Sequence, residues 1–106
     1  MGLKSYSAKR DANEKEIVYA LEVVGATVVR LSVKNVPDLL VGYRGMNYLL
    51  EVKDVGGRVL KGQQGFIDLW EGFKPMVVWT VEEALRAIGA IGKKEDWTMK
   101  LPKRMT

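Results

Sequence analysis

The chain has 106 residues, with 17 Lys and Arg against 13 Asp and Glu and a formal net charge of +4. That length fits one domain, residues 1–106, around a single modest core. There is no Cys and no His, which excludes disulfides, thiolate nucleophiles, zinc–sulfur sites, imidazole ligands and Ser-His-Asp triads. Catalysis, if present, has to rest on carboxylates, Lys, Arg, hydroxyls or a bound hard cation such as magnesium, calcium or manganese.

Met1 to Arg10 is polar and basic and has no apolar segment of the kind that directs secretion. It reads as an N-terminal arm, and the chain as cytoplasmic. From Asp11 a helix is expected over 12–24. Asp11 with Glu14 resembles a capping box, Ile17, Ala20, Leu21 and Val24 recur at helical spacing, and Gly25 suits the end. Thr27–Val33 is rich in β-branched residues and predicts a first strand. Pro37 precedes two apolar runs, 38–43 and 46–53, around Arg44-Gly45, which together predict a hairpin. These runs barely alternate, so burial on both faces and a central place in the sheet are expected.

A glycine-containing loop is predicted over 54–62 and a helix over 63–73, where Phe66, Trp70 and Phe73 are expected to join the core. Met76–Trp79 reads as a short strand. Thr80-Val-Glu-Glu83 is a capping box that opens a last helix ending at Gly89 or Gly92. The tail, about 93–106, is basic and carries Trp97, Met99 and Leu101 at alternating positions. It suits packing back on the domain, forming a strand, or meeting a second subunit. No apolar run approaches the ~18 residues that span a bilayer, so no membrane is expected. The order α-β-β-β-α-β-α predicts an α/β fold with a mixed four-stranded sheet flanked by helices.

Three charged residues stand inside these apolar strands: Asp38, Glu51 and Lys53. With the turn centred between Arg44 and Gly45, Tyr43 pairs with Met46 and Asp38 lies opposite Glu51. Opposed residues of an antiparallel pair have Cβ atoms ~5 Å apart. Two carboxylates at that separation repel unless a cation stands between them. Lys53, two residues past Glu51, points to the same face.

Pro37-Asp38 followed by Glu51-Val52-Lys53 spells a PD…(D/E)xK pattern, and the chain resembles the PD-(D/E)xK nuclease superfamily. Within it, the chain is similar to the small stand-alone VRR-NUC nucleases of phages and bacteria and to archaeal Holliday junction resolvases. The likeness runs from about Asp11 to Gly89. It takes in Asn13-Glu14-Lys15-Glu16-Ile17, Val36-Pro37-Asp38-Leu39-Leu40, Leu50-Glu51-Val52-Lys53, Gln63 with Phe66 and Trp70, and Thr80-Val81-Glu82-Glu83-Ala84.

That resemblance implies a restriction-endonuclease-like core and a set of roles. Asp38 and Glu51 would bind the metal, and the Val52 carbonyl would add a ligand. Lys53 would position the attacking water. Glu14 would support the metal from the first helix. Gln63, or Gln64 beside it, would be the site glutamine at the start of the next helix. It further implies Mg2+ as cofactor, with Mn2+ also effective, and a homodimer cutting branched DNA such as four-way junctions. Other readings stay open: a sequence-specific, restriction-type nuclease, a non-catalytic DNA-binding module on the same fold, or a small basic interaction protein. Asp38 also suits a turn cap, Glu51 and Lys53 a plain salt bridge, Glu14 a capping box, and Gln63 an exposed helix start.

Overall fold

Helix α1, Glu14–Val23, presents Ile17, Val18 and Leu21 as its buried stripe. The computed structural model describes residues 13–92. The expected arm, the Asp11 cap and the 93–106 tail lie outside these residues. Asn13 occupies the N-cap of α1 without a side-chain capping bond. The helix closes on Gly25, at φ +100°. There the Gly25 N–H donates to the Glu22 carbonyl and the Ala26 N–H to the Leu21 carbonyl, the paired bonds of a Schellman ending.

Strand β1 covers Thr27–Arg30, three residues shorter than the β-branched run predicts. The Leu31 N–H still donates to the Asp38 carbonyl at 2.8 Å. The chain then leaves the ladder through a turn in which the Val36 N–H donates to the Val33 carbonyl and Asn35 takes φ +68°. β-branched residues favour extended backbone, but this local turn ends the pairing first.

Strands β2, Leu39–Tyr43, and β3, Met46–Val52, form the expected hairpin. Tyr43 pairs with Met46 and Leu39 with Leu50, which is the anticipated register. Arg44 and Gly45 both have positive φ, 50° and 81°. Two such residues make the tight turn whose twist matches the flanking strands. A one-residue slip would invert every side chain of one strand, so this turn fixes which face Asp38 and Glu51 occupy.

Helix α2 spans Lys61–Leu69 and crosses over to β4, Met76–Val78, which pairs parallel to β3. α2 starts two residues before the predicted 63–73 segment and stops four short of it. Lys74 accounts for the early end. Its ammonium donates to the carbonyls of Ile67, Asp68 and Trp70, at 3.0–3.3 Å, satisfying the open C-terminal end of the helix. Helix α3, Val81–Ala87, opens on the predicted capping box. Glu83 N–H donates to Thr80 Oγ1, and Thr80 N–H to Glu83 Oε1, each at 3.1 Å.

The sheet order is β1-β2-β3-β4, a mixed sheet in the expected element order. Its core lies on one face. Leu39, Val41, Tyr43, Leu50, Val52 and Val78 meet Ile17 and Leu21 of α1, Ala84 of α3 and Ile88 at its C-cap. β2 and β3 are central, but burial on both their faces is not found. Leu39 and Val41 are fully buried whereas Leu40, between them, is 37% exposed. The second face carries α2, none of whose residues is buried. Trp70 and Phe73, expected in the core, are 41% and 55% exposed. α2 is one short helix with polar residues at its start, and polar bonds rather than burial hold it down. Among the described residues no helix is long and apolar enough to cross a membrane.

Candidate active site

Asp38 immediately precedes β2, Glu51 is the penultimate residue of β3, and Lys53 directly follows that strand, all at the same end of the hairpin. Alternation decides their side. Leu39 and Leu50 face the core, so Asp38 and Glu51 face α2. Asp38 is half-buried and Glu51 fully buried, at 2% exposure.

Each group has a partner that sets its orientation. Asp38 Oδ2 accepts from the Val52 N–H at 2.8 Å, so the carboxylate is clamped across the hairpin to the residue after Glu51. Glu51 Oε2 accepts from Gln63 Nε2 at 3.0 Å and lies 3.3 Å from Lys53 Nζ. Lys53 Nζ also donates to Gln63 Oε1 at 2.9 Å. Gln63 Oε1 accepts in addition from the Leu60 N–H at 2.8 Å, which ties the glutamine to the N-cap of its own helix. Glu51, Lys53 and Gln63 therefore form a closed triangle of contacts, and one amide fastens α2 to the end of β3.

Gln64 points elsewhere, donating to Asp68 at 2.8 Å on the exposed side of α2. Of the two candidate glutamines, the structure brings Gln63 to the carboxylates. Glu14 is buried, and its Oε2 accepts from Arg30 Nε at 3.0 Å. Among the described residues no three acidic side chains converge on one metal-sized site, so Glu14 is not gathered with Asp38 and Glu51 into a triad. Val52 contributes its N–H to Asp38, while its side chain packs in the core.

Two contributors are not apparent from the motif. Asn13 Nδ2 donates to the carbonyls of Lys53, at 3.0 Å, and Trp79, at 2.7 Å. With the Lys53 N–H donating to the Val78 carbonyl at 3.0 Å, both main-chain groups of Lys53 are fixed. Nothing local in the sequence marks Asn13 for this role, because both carbonyls it meets lie far along the chain. Arg30 is the other, and it acts away from the two strand carboxylates, donating to buried Glu14 of α1.

The electrostatics are those of a site short of positive charge. The Glu51 carboxyl is pushed up from 4.5 to about 7, first by burial and then by the neighbouring Asp38 charge, against the opposing pull of Lys53. One ammonium offsets only part of two crowded carboxylates. Hard oxygen donors under mutual repulsion fit a divalent cation such as magnesium or manganese. Asp38 and Glu51 are the residues that would hold it.

No family model, curated protein or solved structure matches the chain.

Proposed function

We infer that the protein is a divalent-metal-dependent endodeoxyribonuclease of the PD-(D/E)xK type, using Mg2+ or Mn2+. The observation that carries this reading is the convergence of Asp38, buried Glu51, Lys53 and Gln63 at one end of the hairpin, with Glu51 short of cationic compensation. A divalent ion held by the two carboxylates would supply an acidified water and draw charge from a phosphate oxygen. The chain's own groups divide the remaining work. Lys53, fixed through its backbone and through Gln63, presents an ammonium to the phosphate and the incoming water. Gln63 holds Glu51 and Lys53 in register with each other. The Val52 N–H keeps Asp38 turned across the hairpin. Asn13 keeps the end of β3 from shifting against α1.

The net charge of +4 favours a polyanionic partner. The preferred substrate is branched DNA, including four-way junctions, cut by a homodimer. A domain with one such site cuts one strand, and paired cuts across a two-fold junction need two sites related by a two-fold axis. The test is cleavage of matched four-way junction, flap and linear duplex substrates with Mg2+ or Mn2+. Branched substrates should be cut and matched duplex spared. Binding of all three with no cleavage under either metal would instead identify a non-catalytic DNA-binding module.

Gln63 and Gln64 give an internal control. Gln63→Ala should lower the cleavage rate by about 10- to 100-fold, the usual cost of losing a group that orients metal ligands. Gln64→Ala, which removes an exposed bond to Asp68, should leave the rate within about threefold, because exposed substitutions away from special features are nearly neutral.

A further inference from the structure

The open face of the sheet carries an apolar groove of about 780 Å3, lined in part by Leu40, Leu49, Phe66, Trp70 and Phe73. On this face Asp38 and Glu51 stand one step beyond the last ladder pair, Leu39 and Leu50, and the paired Leu40 and Leu49 form the next row inward. Successive rows on one face are two residues apart, roughly 6.6 Å. α2 runs alongside in step with them. Gln63 bonds Glu51, and Phe66 and Trp70, three and seven residues further on, lie on the same helix side and line the groove. Phe66 and Trp70 are stacked, with centroids 5.1 Å apart and planes at 17°. Trp70 and Phe73 are about half exposed.

We propose that this groove is a subsite for the base of an unpaired nucleotide adjacent to the phosphate held at Asp38 and Glu51. The proposal rests on the nuclease reading and adds a selection rule to it. The offset from the carboxylate row to the Leu40–Leu49 row is about the span of one nucleotide in an unstacked strand. A phosphate at the first row therefore delivers its neighbouring base to the second. Leu40 and Leu49 lie along the groove beside the rings of Phe66, Trp70 and Phe73, which suits a flat π-face of any base. A base inside a duplex is paired and stacked, so it cannot enter. Unpaired nucleotides at flaps, at single-stranded gaps and at a four-way junction whose central pairs have opened can. Shape selectivity would then arise from the availability of a base rather than from its identity.

Oligothymidylate and an abasic oligomer of equal length, bound to the full chain and followed by anisotropy, form the test. Base–aromatic stacking makes the expected preference for oligothymidylate about 5- to 150-fold. Trp70→Ala should remove most of that preference while leaving abasic binding unchanged, and Trp70→Phe should restore part of it. Equal loss on both ligands in Trp70→Ala would overturn the proposal. So would a self-associating chain that Trp70→Ala makes monomeric with no base dependence, since the groove would then belong to a second copy. Cleavage of branched DNA by wild type with no base preference in binding would overturn the subsite and leave the nuclease reading standing. Absence of both cleavage and DNA binding would remove both.

Discussion

Asp38→Asn should abolish cleavage, lowering the rate by at least about 10²- to 10³-fold, the scale seen when a single group stabilising transition-state charge is lost. The fold should survive the change. Asn can still accept the Val52 N–H that Asp38 Oδ2 accepts at 2.8 Å, and the β2–β3 register is set by the Arg44-Gly45 turn rather than by the carboxylate. Glu51→Gln should have an effect of the same order, because both residues serve one site. Groups that act as a unit are not additive, so the double variant should be little worse than either single one. Circular dichroism and DNA binding retained at wild-type level would separate this loss from unfolding. Either single variant cutting at the wild-type rate would dispose of the metal-site assignment.

Stability should depend on pH through Glu51, and in the direction opposite to that of a salt-bridged carboxylate. Its carboxyl is raised from 4.5 to about 7 in the folded chain. Below pH 4.5 the group is protonated in both states and costs nothing. Between 4.5 and 7 the unfolded chain gives up the proton while the folded chain keeps it. The unfolded state then binds fewer protons, so stability falls as pH rises. Above about 7 the penalty is complete. Its size is on the order of 3 kcal/mol, or upward of roughly 10 °C in melting temperature for a domain of this size.

A divalent cation should reverse the effect. Mg2+ or Mn2+ should raise the melting temperature at pH 8 and do little at pH 4.5, where protonated carboxyls are poor ligands. Glu51→Gln should remove both the pH slope and the metal response. Thermal melts across pH 4–8, with and without metal, give all of these comparisons. A stability that rises from pH 5 to 7 and ignores the metal would mean that Lys53 alone satisfies the pair.

The hairpin was legible because its information is local. Arg44-Gly45 between two apolar runs dictates a two-residue turn, and that turn dictates the partner of every residue from Leu39 to Leu50. The capping box at Thr80 and Glu83 is equally local. The open sheet face was not legible. The apolar sequence of β2 and β3 looks the same whether a helix covers the second face fully or in part. Only the short span of α2, ended at Leu69 by Lys74, leaves Leu40, Trp70 and Phe73 in contact with solvent. In the site, Asp38, Glu51 and Lys53 follow from pairing arithmetic, but the choice of Gln63 over Gln64 depends on where α2 begins, which a loop with several glycines hides. Asn13 and Arg30 depend on how α1 packs across the ends of the strands, a long-range relation with no local pattern.

The central claim is that one cation sits between Asp38 and Glu51. A crystal of the full chain soaked in manganese, measured at a wavelength where manganese scatters anomalously, tests it most directly. The expected result is a single strong peak within bonding distance of an oxygen from each carboxylate, lost in Asp38→Asn. A site with no peak, in crystals of protein that cleaves DNA in the same manganese buffer, would contradict it.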